Sequence, residues 1–155
     1  MPADPSLIKN AFDIPLDARV EMVLDLDLAV AISNAVELMG KGDSLNGRIL
    51  NIGGGKANGF QRCGRDLTQS IFEVMGIGKL DEKCFTTKEY FLDWMDTEES
   101  QRLLQYQNHT YEQLLELYLK PYKKFRPFVK LFSPLIRKFF EAQSPYRARQ
   151  TKSAS

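Results

Sequence analysis

The stretch Gly47-Arg48-Ile49-Leu50-Asn51-Ile52-Gly53-Gly54-Gly55-Lys56-Ala57-Asn58-Gly59 decides how the chain is read. An apolar run from Ile49 to Ile52 ends in three consecutive glycines, and an amphipathic helical pattern begins a few residues later. The run predicts a strand over 48–52 that opens into a loop where backbone comes very close to something, because side chains are absent there. Three occupants compete for that approach: a cofactor phosphate held by the spaced glycines 53, 55 and 59, a substrate, or the next piece of the chain itself. A dinucleotide site asks for an acidic residue about 20 positions further on, at the end of a second strand, and around Glu73 the pattern is helical. A phosphate-binding Walker loop is excluded, since Lys56 is followed by Ala57 where Ser or Thr is required.

Working outward, Arg19 to Leu24 reads as a strand, and Asp25-Leu26-Asp27 places carboxylates at the positive end of a following helix. That helix is expected to reach Met39, with Leu28, Ala31, Ile32, Ala35, Val36 and Met39 as its inward stripe. Downstream, a helix from Gly64 to Met75 buries Leu67, Ile71, Phe72 and Met75 and ends at Gly76, where a left-handed glycine belongs. Phe91 to Met95 reads as extended. Asp96-Thr97-Glu98-Glu99 matches a capping box for a short helix anchored by Leu103 and Leu104, and Thr110-Tyr111-Glu112-Gln113 opens another through Leu119. Residues 1–16, with three prolines, read as an extended lead-in. The fold class is therefore α/β, helix-rich with a small sheet.

With 155 residues the chain suits one domain with its own core. The formal net charge of +1 hides a split: residues 1–117 carry 11 Lys/Arg against 19 Asp/Glu, whereas 118–155 carry 10 against 1. An acidic body is joined to a basic tail, a statement about partners. Cys63 and Cys84 lack metal or redox spacing and read as two reduced thiols of a cytoplasmic protein. The first residues show no apolar signal-peptide core, and no run of apolar residues is long enough to span a bilayer. His109, the one histidine, sits between two predicted helices and reads as a solvated or capping residue. The pairs Asp25/Asp27 and Glu98/Glu99 stand at helix starts, where the dipole accounts for them. No catalytic residue and no metal ligand set is expected.

Three segments in order carry a family resemblance: Val20-Glu21-Met22-Val23-Leu24-Asp25-Leu26-Asp27-Leu28-Ala29, the stretch 47–55, and Asp93-Trp94-Met95-Asp96-Thr97-Glu98-Glu99-Ser100-Gln101-Arg102-Leu103-Leu104-Gln105-Tyr106-Gln107. Together they resemble the C-terminal, substrate-binding portion of the extended short-chain dehydrogenases/reductases, the NAD-dependent epimerase/dehydratase family. The resemblance covers residues 11–118. It implies strands that lean on a parallel sheet, NAD(P) as the parent family's cofactor, and a sugar nucleotide or similar polar molecule as substrate. It implies substrate contact for Arg19, Asn51, Gly53, Gly54 and Gly55. The family's N-terminal glycine loop is absent, and no tyrosine here has Lys four positions later, so the proton-transferring Tyr-x-x-x-Lys is absent too. The expectation is a segment that binds no cofactor and is inactive by itself, completed by a companion chain carrying the dinucleotide-binding half or by a homodimer.

The tail lies outside that resemblance. Over residues 118–140 seven aromatics interleave with seven basic residues, and Pro121, Pro127 and Pro134 forbid one long helix. Three readings stand: aromatics packed on the body with cations at the rim, an element on an anionic membrane surface, or a nucleic-acid contact, for which no module is visible. The membrane reading names Lys123, Lys124, Phe125, Arg126, Phe128, Lys130, Phe132, Arg137, Lys138 and Phe139 as contacts, for a cytoplasmic, membrane-peripheral protein with no nucleic-acid partner. Residues 147–155 are expected to be disordered.

Overall fold

The computed structural model describes residues 10–42, 45 and 47–147. The described residues fall into two compact units, each discontinuous in sequence: those within 1–18, 63–92 and 117–155 form the first, those within 19–62 and 93–116 the second. In chain order the elements are β1 (Arg19–Glu21), α1 (Asp25–Gly40), β2 (Gln61–Cys63), α2 (Gly64–Met75), a 3-10 turn (Glu82–Cys84), α3 (Glu98–Leu104), α4 (Tyr111–Leu119), a 3-10 segment (Lys120–Phe125), α5 (Arg126–Leu131) and α6 (Ser133–Ala142). β1 and β2 pair as a two-stranded antiparallel sheet, so the fold is α/β with helix predominating. This pairing differs from the parallel arrangement that the resemblance implies. Arg147, expected to begin a disordered end, is instead ordered and pairs with Glu141 at 3.1 Å; the rest of that expectation, over 148–155, and the lead-in over 1–9 lie outside the described residues.

In the first unit, Phe12, Phe72, Ile77, Leu80, Cys84 and Phe85 form the core. Phe12 and Phe85 meet edge to face at 5.4 Å between ring centroids. The extended lead-in is corrected here: Asn10 to Phe12 are helical and Phe12 is fully buried, its carbonyl accepting from the Thr86 amide at 2.9 Å. A single large aromatic, hidden among prolines and polar residues, anchors what reads as a polar leader. α2 has the predicted bounds, and Gly76 ends it in the left-handed conformation with φ of 85°. A side chain at Gly76 would also meet Arg126, 3.1 Å from its Cγ, so the start of α5 seats directly on this glycine.

The tail belongs to this unit. Val129, Ile136, Phe140 and Tyr146 pack against its core, and Phe140 meets Phe72 edge to face at 5.9 Å. Pro121, Pro127 and Pro134 each occupy the first turn of a short helical segment, where a missing amide costs nothing. They punctuate the tail without breaking it.

The core of the second unit gathers Ala31, Leu104 and Tyr106 with Val30, Ala35, Leu38, Leu50, Ile52 and Leu103. Of the expected inward stripe of α1, Ala31 and Ala35 do face this core, but Leu28, Ile32, Val36 and Met39 are exposed. The helix is rotated because two polar residues on the buried side have partners. Asn34 donates to the Leu104 carbonyl at 2.7 Å, and Asp27 is fully buried. The predicted strand 48–52 is also corrected: the segment has no regular strand pairing. Leu50 and Ile52 turn inward while Ile49 stays 90% exposed, so it alternates like a strand without being one. Its polar backbone is met by side chains: the Ser100 hydroxyl donates to the Asn51 carbonyl at 2.6 Å. The strand the reading missed, Gln61–Cys63, is too short and polar to carry a periodic signal.

Among the described residues no helix is long and apolar enough to cross a membrane. Burial, reinforced by the Glu141 carboxylate, pushes the Cys84 thiol up to about 11, whereas Cys63 is half-buried. Since the thiolate is the nucleophile, a thiol reagent at neutral pH should titrate Cys63 in the folded protein and Cys84 only after denaturation. Immediate modification of both in native buffer would contradict the burial of Cys84.

Candidate functional site

The triple glycine is locked by its own chain. Gly53 donates its amide to the Tyr106 hydroxyl at 3.1 Å, and that hydroxyl donates back to the Gly53 carbonyl at 2.8 Å. The same carbonyl accepts from Gln107 Nε2 at 2.9 Å. Gly54 donates to the Met22 carbonyl at 2.8 Å, and Gly55 donates to Glu21 Oε1 at 3.0 Å. A Cβ at Gly53 would collide with Glu21, one at Gly54 with the Phe60 ring, and one at Gly55 with the Gln107 amide. Gly55 also has φ of 82°, which L side chains rarely adopt. Each glycine is thus explained by an approach of this chain to itself.

Glu21 organises the surroundings. Besides Gly55, its carboxylate accepts from the Met95 amide at 2.8 Å and from Gln61 Nε2 at 3.1 Å, so one strand-end residue ties three segments together. α3 begins where Asp96 Oδ1 accepts from the Glu98 amide at 3.1 Å. It ends at Gln105 in the left-handed region, φ 47°. Gln101 Oε1 receives the amides of Tyr106 and Gln107 at 3.1 and 3.0 Å, and thereby turns the chain back toward the glycines. At the next turn Thr110 and Gln113 cap α4 reciprocally, as the spacing predicts: the Thr110 amide donates to Gln113 Oε1 at 2.8 Å and the Gln113 amide to Thr110 Oγ1 at 3.3 Å.

This lattice borders a cleft of about 950 Å³ whose walls include Gly55, Lys56, Gln61, Gln101, Arg102 and Gln107. Three side-chain amides, two cations and the carboxylates of Asp96 and Glu98 line it, a set suited to hydrogen bonding a polar ligand. Among the described residues no cluster of three His, Cys, Asp or Glu has the arrangement to hold a metal ion.

Of the residues singled out from sequence for substrate contact, Gly55 lines this cleft. Gly53 and Gly54 are buried and are not among its lining residues, and Asn51 donates from Nδ2 to the Asp96 carbonyl at 3.4 Å. Arg19 pairs with Asp93 at 3.2 Å and lies over the Trp94 ring, 5.1 Å from its centroid. The Trp94 amide, then Arg19, hold the Asp93 carboxyl below its ordinary value. The basic and aromatic candidates of the tail lie in the first unit: Lys123, Lys124 and Phe125 in the 3-10 segment, Arg126, Phe128 and Lys130 on α5, Phe132 at the junction, and Arg137, Lys138 and Phe139 on α6.

Reading the sequence missed Glu21, Gln101, Tyr106 and Gln107, and the pairing of His109 with Asp27. The His109 ring nitrogen Nδ1 lies 2.6 Å from Asp27 Oδ1, and the His109 amide donates to Asp27 Oδ2 at 3.2 Å. Asp27 stands in the first turn of α1, as the dipole reading expects, and its buried carboxylate is in addition met by His109, a loop residue with a partly exposed ring. Together they clamp the helix start to the segment after Tyr106. The available signal was an acid on the buried side of a helix, spaced 3, 4 and 7 positions from Val30, Ala31 and Asn34.

No protein-family model matches the chain, and no curated protein and no solved structure matches it significantly.

Two substitutions and one control test the site's architecture. His109→Ala leaves the Asp27 carboxylate buried without its ring partner and should cost about 2–4 kcal/mol of unfolding free energy. Gly54→Ala forces Phe60 and the Met22 carbonyl apart and should cost at least about 2 kcal/mol, whereas Gly40→Ala, with open space around it, should change stability by less than about 1 kcal/mol. Urea denaturation reads all three, and equal midpoints for the two glycine variants would contradict the close packing.

Proposed function

We propose that the second unit is a substrate-binding module related to the substrate-side portion of the NAD-dependent epimerase/dehydratase family, and that its ligand is a sugar nucleotide or a similar polar molecule. The observation that carries this reading is the cleft: Lys56 and Arg102 stand among the side-chain amides of Gln61, Gln101 and Gln107, beside a glycine turn already fixed by Tyr106 and Glu21. A preformed wall of this kind limits the ordering cost of binding. Cations meet phosphate oxygens and amides meet hydroxyls.

The chain carries neither the family's nicotinamide-binding glycine loop nor its Tyr-x-x-x-Lys. On this reading, redox or epimerisation chemistry on the bound molecule falls to residues other than those of this cleft, and the partner would be a companion polypeptide or a second copy of the chain. Supporting that partnership is the exposed apolar stripe Leu28, Ile32, Val36 and Met39 along α1, since apolar patches on soluble domains mark interaction sites.

Titrating isotope-labelled protein with UDP-glucose should move the amide resonances of Gly55, Lys56, Gln101 and Arg102 together and saturably. Lys56→Glu with Arg102→Glu should weaken that binding by about tenfold or more. Perturbations absent at millimolar ligand, or scattered away from these residues, would refute the reading. Tight stoichiometric NAD(H) binding in calorimetry would refute the missing-cofactor half of it.

A further inference from the structure

We propose that the outward face of the 125–139 stretch docks on the surface of an anionic lipid bilayer. The inference stands apart from the cleft and rests on the first unit alone. Phe125, Phe128, Leu131, Phe132, Leu135 and Phe139 recur at spacings of three and four, which puts them on one side of a helical path. All six are exposed: Leu131 at 73%, Leu135 at 72%, Phe128 at 67% and Phe139 at 64%. Another side of the same path is occupied, because Val129, Ile136 and Phe140 pack into the core and Arg126 sits against Gly76. With that side pinned, the helices cannot roll to hide the stripe. An amphipathic helix normally spends its apolar residues inward; this one has an apolar face beyond the face it buries.

Charge decides the occupant. The stripe is accompanied by Lys124, Lys130, Arg137 and Lys138, and Lys124 lies 4.9 Å from the Phe125 ring centroid. The one carboxylate over residues 118–147, Glu141, is paired with Arg147 at 3.1 Å and accepts from the Asp81 amide, so it adds little negative field to the face. An anionic bilayer offers both things this face lacks, hydrocarbon at the headgroup boundary and a layer of phosphate and carboxylate. Nucleic acid supplies phosphate and would stack on the aromatics, but it gives the aliphatic Leu131 and Leu135 no partner. Short segments started by prolines suit a chain lying in the plane of the interface, and among the described residues no helix is built to cross it.

Co-sedimentation of the full chain with phosphatidylcholine vesicles, with and without phosphatidylserine, tests this. Binding is expected only with phosphatidylserine, and to fall as salt rises. Lys124→Gln, Lys130→Gln and Lys138→Gln together should lower the partition coefficient by roughly fivefold per lysine, the equivalent of about 1 kcal/mol per cation. Phe128→Ser with Phe139→Ser should lower it by more than about tenfold while leaving circular dichroism unchanged, because both positions are exposed. Failure to pellet with phosphatidylserine vesicles overturns the proposal. So does vesicle binding indifferent to the phenylalanine pair, as does an effect of that pair confined to self-association or to RNA binding.

Discussion

One hydroxyl holds the second unit together. Tyr106, fully buried, accepts the amide of Gly53 and donates to the carbonyl of the same residue. An extended segment without a strand neighbour would otherwise leave the Gly53 amide stranded in a core, at a cost of about 1–3 kcal/mol, and its carbonyl with Gln107 alone. The phenol substitutes for the missing strand. Glu21 does the same for Gly55, Gln61 and the Met95 amide, and Ser100 for the Asn51 carbonyl. The described part of this unit contains a short sheet and many side-chain-to-backbone bonds, and the latter do much of the work that a ladder does elsewhere.

From that constraint follows the composition of the glycine stretch. Backbone drawn against Glu21, Phe60 and Gln107 leaves no room for side chains, so three glycines occur in a row. Of the three occupants that the sequence leaves open for this loop, the protein's own groups come first, and the cleft begins at its outer edge, at Gly55. A fixed floor with cations, carboxylates and amides around it suits hydrogen bonding to a polar molecule.

What was legible in the sequence was local. α2 runs from Gly64 to Met75 with Gly76 behind it, because apolar spacing and a left-handed glycine are both nearest-neighbour signals. The reciprocal cap of α4 at Thr110 and Gln113 is legible for the same reason. What stayed hidden depends on contacts far apart in the chain. The rotation of α1 is helped by His109 and the Leu104 carbonyl, 82 and 70 positions from their partners, which let Asp27 and Asn34 sit on the same buried side as Val30, Ala31, Ala35 and Leu38. The segment 48–52 has the apolar alternation of a strand, but pairing depends on a neighbour, and here that neighbour is a set of side chains. Of the residues first assigned to substrate, Arg19 is engaged by Asp93 and Trp94 and Gly53 by Tyr106, partners that no spacing rule reveals.

The tail shows the same separation of local from distant. Its aromatic and basic pattern was plain, and the prolines correctly limited it to short helices. Which aromatics turn inward was decided by the core around Phe72 and by the seat at Gly76, leaving a second apolar face outside. The claim beneath the whole account is that the glycine turn is sealed by the protein itself. Amide hydrogen exchange tests this most directly, since Gly53 and Gly55 lie outside any regular element and unprotected loop amides exchange fast. The account predicts that both exchange as slowly as the interior amides of α1. Exchange at free-peptide rates would contradict it.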